Sequence, residues 1–406
     1  MDSLHAMASP NNASSFTTGG NLWRCKGSTK NIYYTSCRAS KASQYKRKSE
    51  IEYNLLSFKQ SRLSNHYKWI EGYEECNKKY VGKAISRPYF HSQPQDSNSK
   101  NIFVSVKNFI VAFYWFCYPY TMIGRTLSTI SASLLVVEKL SDISPLFFVG
   151  VLQAMLPHLF MDIYINGVNQ LFDIEIDKIN KPYLPLASGQ ISFTAGVIIV
   201  ASSLTLSFWL AWSIGSWPLI WSLVLCFSLW TAYSINVPLL RWKRHPLLAA
   251  ICIFASWAVI FPVTFFLHMQ TFVLKRATIF PRSLIFVAVF MSFYTLGIAL
   301  FKDIPDVDGD KTFGIQSLSA RLGQKRVFWI CVSLFEMAFG IALMAGLTSS
   351  SLLVKIVVGL GHVVLASILW YQAKFVDLSS KASIRSFYML IWKLLYVAYF
   401  LMPLIR

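Results

Sequence analysis

The chain has 406 residues, a formal net charge of +19 and a mean hydropathy of +0.46, with 54% hydrophobic and 14% charged residues. That charged fraction lies far below the roughly 25% of soluble domains, and the apolar residues fall in runs of about twenty, which excludes a soluble globular enzyme and points to a polytopic membrane protein. Seven cysteines without CxxC or paired spacing exclude a disulfide framework and a zinc site, and the basic residues are not interleaved with aromatics as a nucleic-acid surface requires.

Residues 1–49 carry eight Lys/Arg, one acid (Asp2) and many Ser/Thr. There is no apolar core as in a secretory signal, so residues 1–50 read as an organelle transit peptide. Residues 51–103 read as a polar linker. The remainder, 104–406, is the membrane domain.

Nine spans are expected: 104–137 (interrupted at Pro119), 146–170, 192–213, 217–238, 246–268, 283–302, 327–347, 352–373 and 387–404. The runs are too long and too uniformly apolar for barrel strands, so the expected fold class is all-α. If spans alternate, the loops after the second, fourth, sixth and eighth share one face. They carry Lys178 and Lys181, then Arg241, Lys243 and Arg244, then Lys311, Arg321, Lys325 and Arg326, then Lys374, Lys381 and Arg385. The opposite loops carry only Lys139, Lys275, Arg276 and Arg282. The richer face is cytosol-like by the positive-inside rule.

Two acidic clusters lie on that face. A carboxylate at mid-membrane costs roughly 2.5–3.5 kcal/mol even on the lenient scale, so their purpose needs explaining. Asn169, Asp173 and Asp177 are spaced i, i+4, i+8 and share one helix face. Asp303, Asp306 and Asp310 share a stripe if their segment is helical, although Pro305 and Gly309 argue against an unbroken helix. All-oxygen ligands without His or Cys suit Mg²⁺, or Mn²⁺, better than zinc. Mg²⁺ binds one or two carboxylates together with substrate phosphates. Two such stripes rimmed by Lys178, Lys181, Lys243, Arg244, Lys302 and Lys311 therefore describe a diphosphate site, with an adjoining cavity for an apolar tail. A cation transporter is the rival class, but its acids sit near mid-membrane on broken helices. A scaffolding membrane protein would not require the acidic stripes.

The stretches "NQLFDIEIDKINKPYLPLASG" and "LFKDIPDVDGDKTFGIQSLSARLGQKRVF" resemble the UbiA superfamily of intramembrane prenyltransferases, in its plant plastidial branch. The first family motif, NxxxDxxxD, is matched by Asn169, Asp173 and Asp177, and the second by Asp303, Asp306 and Asp310. The resemblance covers about residues 104–406 and implies nine spans. It implies Asp173, Asp177, Asp303 and Asp306 as catalytic groups. The implied metal ligands are those four with Asn169 and Asp310, and Asn169 joins the basic rim in holding diphosphate. The implied partners are a prenyl diphosphate, a phenolic acceptor and membrane lipid, in a plastid membrane with the site facing the stroma. The branch holds homogentisate transferases and legume flavonoid and isoflavonoid transferases. "CYPYTMIGRT" places Tyr118 where homogentisate enzymes usually carry Arg, which favours a neutral phenol and a dimethylallyl donor; Arg125 is the one nearby cation. The alternative is transfer of a phytyl or solanesyl group to homogentisate.

Overall fold

The computed structural model describes residues 98–405, with side chains from Val104 onward; the expected transit peptide and nearly all of the linker lie outside the described residues. The described chain is helical throughout: α1 (Asn98–Phe116), α2 (Pro119–Leu134), α3 (Pro145–Asn180), α4 (Phe193–Ile214), α5 (Trp217–Ser234), α6 (Pro246–Val273), α7 (Arg282–Phe301), α8 (Val307–Thr312), α9 (Leu318–Leu322), α10 (Gln324–Leu347), α11 (Leu352–Ala373) and α12 (Lys381–Leu401).

Among these residues, eight helices are long and apolar enough to cross a membrane. The first expected span is instead the pair α1–α2. It breaks at Tyr118, which adopts a left-handed conformation (φ 52°) before Pro119 at the start of α2. A bulky residue rarely takes that conformation, so the surroundings must hold it there. Asn166 and Gln170 of α3 do so. The Asn166 carboxamide donates to the Cys117 carbonyl at 3.0 Å, and that of Gln170 to the Phe116 carbonyl at 2.8 Å. These carbonyls end α1 and have no intrahelical partner.

α3 outruns its expected end at 170 by ten residues. α4 packs along α3, and α10 packs against both α7 and α11. α6 contains two π-helical stretches, Ala255–Ile260 and His268–Val273.

The cross-chain contacts confirm the alternation of the spans. On one side, Lys181 meets Asp306, Arg241 and Lys243 meet Asp173, and Lys381 meets Asp308. All four basic loops therefore converge. On the other side, Arg276 bonds Asp142 at 2.7 Å.

Within the bundle, Arg125 of α2 is 1% exposed and is held by Asp162 of α3, with Nε–Oδ2 and Nη2–Oδ1 distances of 3.0 Å. Its guanidinium stacks on Phe261 and Trp257 of α6. Arg125 is thus engaged and not a free cation for an acidic acceptor. Removing one member of a buried pair strands the other, at a cost of about 3–5 kcal/mol. Asp162→Leu is expected to lose most folded protein in detergent, measured by thermal aggregation. Arg125→Leu with Asp162→Leu should recover much of it; a double variant no better than the single would refute the pairing argument.

Candidate active site

The cytosol-like end of α3 presents the first motif as expected. Asp173 and Asp177 are buried and Asn169 is half-buried. Glu175 and Lys178 project outward and pair with each other at 2.7 Å. Lys178, expected at the diphosphate, therefore faces away: one residue past Asp177 is a rotation of about 100°.

The second motif is not one helical stripe. α7 stops at Phe301, a turn carries Asp303 and Pro305, and α8 begins after Asp306. Asp306 and Asp310 are one turn apart at the start of α8, with the Asp310 amide bonded to the Asp306 carbonyl at 3.0 Å. Asp303 reaches the site from the preceding turn. Asp308 is exposed and pairs with Lys381 at 3.0 Å.

Two contacts join the motifs. Lys181 Nζ lies 2.6 Å from Asp306 Oδ2. The Gly309 amide donates to Asn180 Oδ1 at 3.0 Å. A Cβ on Gly309 would meet the Asn180 carboxamide at 2.5 Å, so only glycine permits the approach. Gly309→Ala is expected to lower kcat/KM at least tenfold by pushing α8 off α3, and Asn180→Gly in the same chain to restore part of it. An unaltered Gly309→Ala enzyme would show that the docking is dispensable.

The cations divide into three groups. Lys243 forms a very short contact with Asp173. Lys302 lies 2.5 Å from Asp303. Burial disfavours the Lys181 charge, but the carboxylates of Asp306 and Asp177 more than offset this and hold its pKa well above the ordinary lysine value. Arg244 and Lys311 are exposed, and among the described residues neither forms an ion pair with a motif carboxylate. Arg241, absent from the expected set, is 7% exposed and reaches Asp173 at 3.2 Å.

Among the described residues, no three His, Cys, Asp or Glu side chains come close enough to cage a metal. The expected six-ligand set is therefore not gathered into one cage, and Lys181, Lys243 and Lys302 lie against its carboxylates. The donors still fit hydrated Mg²⁺, which needs only one or two protein carboxylates. Asp306 Oδ1 is buried without a hydrogen-bond partner. Burial, then the charges of Asp303 and Asp306, push the Asp310 carboxyl up to about 7. A divalent cation there would relieve both conditions.

An aromatic layer adjoins these charges. Tyr118 lies in the field of Asp177, Lys181 and Asp306. It meets Tyr120 edge-on at 5.7 Å, Tyr120 meets Tyr388 at 5.9 Å, and Tyr388 stacks on Phe301 at 5.7 Å. Tyr233 of α5 sits under the Lys302 ammonium at 5.8 Å. Tyr164 is tied to Thr231 and Trp230 to Ser256, which gives both structural roles.

The UbiA prenyltransferase family profile matches residues 126–394. A glycinol 4-dimethylallyltransferase from Glycine max is 62% identical over 97% of both chains. A chloroplastic naringenin 8-dimethylallyltransferase from Sophora flavescens is 51% identical over 97% of both. A chloroplastic homogentisate phytyltransferase from Arabidopsis thaliana is 56% identical over 77% of this chain and 80% of its own. The solved UbiA homolog from Archaeoglobus fulgidus bound to GPP and Mg²⁺ shares the fold with a TM-score of 0.50, at 15% identity, over 71% of this chain and 97% of its own. The chain belongs to the UbiA prenyltransferase family: it is a membrane-embedded prenyltransferase of the plant branch that its two motifs resemble.

Proposed function

We propose that this enzyme transfers a dimethylallyl group from its diphosphate to a ring carbon of a flavonoid or isoflavonoid phenol. The observation that carries the reading is the joining of the two acidic motifs, through Lys181–Asp306 and Asn180–Gly309, beside the tyrosine layer. It accommodates a charged head and an apolar, aromatic partner in one place.

Lys181, Lys243, Lys302 and Arg241 are placed to hold the outer oxygens of the diphosphate. Asp173, Asp177, Asp303, Asp306 and Asp310, with Asn169, are the oxygen donors for Mg²⁺ or Mn²⁺. When bound, the divalent ion supplies Lewis-acid neutralisation of the leaving group. The tyrosine layer excludes water and offers aromatic faces to the allyl cation. The carbon ortho to a phenol attacks that cation, and the ring proton passes to a site carboxylate or to the departing diphosphate. His158, His268 and His362 are hydrogen-bonded inside the bundle, and His245 is exposed.

Two observations favour a neutral acceptor over homogentisate. Tyr118, a neutral side chain, stands beside Asp177, Lys181 and Asp306, and Arg125 is bound to Asp162. The relatives acting on glycinol and naringenin support the same choice along nearly the whole chain. A buried carboxylate without a counter-charge costs several kcal/mol, more than a hundredfold in affinity. In a competition assay with equal homogentisate and mixed flavonoids, and with five- and twenty-carbon donors, dimethylallylated flavonoids should exceed homogentisate products at least tenfold. Dominant homogentisate products would overturn the acceptor assignment. The chloroplastic names among the relatives and the composition of residues 1–50 support a plastid membrane as the location, and the positive-inside rule favours a stromal basic face.

A further inference from the structure

A groove of about 840 Å³ lies along the first turns of α10, and no residue of the two acidic motifs lines it. Its upper end is formed by Lys325 and Arg326, and its floor by Trp329, Ile330 and Leu334. α10 starts on the basic side, so at 1.5 Å per residue Trp329 and Leu334 lie about 8 and 15 Å below Gln324. The floor is thus at the level of acyl chains and the two cations at that of headgroups. Both cations are exposed, and their side chains form no ion pair or hydrogen bond among the described residues. In this they differ from Lys181, Lys243 and Lys302 on the same side, which all meet carboxylates. Trp329 packs edge-on against Trp370 of α11 at 5.8 Å, and Lys374 lies over Trp370 at 5.2 Å, adding a third cation at that level.

We infer that this groove binds a membrane lipid with an anionic headgroup. The headgroup meets Lys325 and Arg326, and one acyl chain lies along Trp329, Ile330 and Leu334. Charge complementarity selects the occupant: a neutral lipid covers the apolar floor equally well but leaves both cations unmatched, whereas basic pockets on this face of membrane proteins take anionic headgroups. Gln324, at the start of α10, donates to the Ile304 carbonyl at 2.8 Å, beside Asp303. A lipid seated on the first turns of α10 therefore bears on the segment that carries the second acidic motif.

The test needs no turnover, so its failure is separable from failure of the prenyl-transfer reading. The full chain is placed in nanodiscs of zwitterionic lipid with an increasing fraction of an anionic lipid brominated in its acyl chains. Quenching at Trp329 is taken as the difference between wild type and Trp329→Phe. Half-maximal quenching should require about thirtyfold more anionic lipid in the Lys325→Ala/Arg326→Ala variant, the expected weight of two interfacial cations. Quenching by brominated zwitterionic lipid should be the same in both, which also reports that the variant is folded. Equal anionic preference in wild type and variant would overturn the inference. So would release of the quench by added dimethylallyl diphosphate, which would assign the groove to the donor.

Discussion

Asp173→Asn and Asp303→Asn are each expected to reduce prenyl transfer at least a hundredfold, with the protein still inserted in the membrane. An amide is isosteric with the carboxylate but is a poor ligand for Mg²⁺ and carries no charge to offset it. Loss of several kcal/mol at the leaving group corresponds to that factor or more. Asp173 has a second role that the experiment must separate. It neutralises Arg241 and Lys243, so its loss strands two cations at a partly buried site. Asp173→Asn with Lys243→Met relieves one of them. Lys243 is itself placed at the diphosphate, so the double variant is compared with Lys243→Met alone: if Asp173 were a counter-ion only, the two would turn over equally. If it also serves the diphosphate site, stability returns and turnover falls well below that of Lys243→Met. Near-normal turnover in either single variant would remove the two-motif site.

Chelation is expected to abolish activity entirely, and Mg²⁺ or Mn²⁺ to restore it. The lysines and Arg241 are too committed to carboxylates to stabilise a departing diphosphate unaided: Lys181, Lys243 and Lys302 each meet one already. The unpartnered Asp306 Oδ1 and the raised Asp310 carboxyl mark where positive charge is lacking. The measurement is transfer of a radiolabelled prenyl group in EDTA-treated membranes, followed by metal add-back. Full activity in chelator would mean that lysine and arginine suffice. Restoration by calcium as effective as by magnesium would oppose the small, octahedral site that this donor set suits.

Eight of the nine expected spans were legible because apolar length is a strong signal and the basic loops orient them, whereas the first is a broken pair of shorter helices. The first motif was legible for a similar reason: i, i+4, i+8 spacing on an uninterrupted helix fixes one face. In the second motif the break was legible from Pro305, but the placement was not, because only tertiary packing decides how Asp303 approaches Asp306. Lys178 could have been rejected from helix geometry, since it adjoins Asp177 in sequence and so points elsewhere. Arg241 could not have been found that way. Its burial comes from left-handed backbone at Leu239 and Arg241, which folds the loop onto α3, and neither residue signals such a turn. Asn180 and Gly309 carry no charge, and only the close approach of the two segments reveals their part.

The Arg125–Asp162 pair has a bearing on how the chain enters the bilayer. α2 has only 16 residues and carries an arginine, so alone it is both short and expensive to immerse. α3 is long, apolar and brings the matching carboxylate. The two are consecutive, separated by a short connection, and a chain entering the membrane from its N-terminal end presents the arginine before its partner arrives. The first span must therefore wait at the interface and settle into the bilayer as a hairpin with the second, so that biogenesis of this enzyme begins with a pair of helices rather than with one.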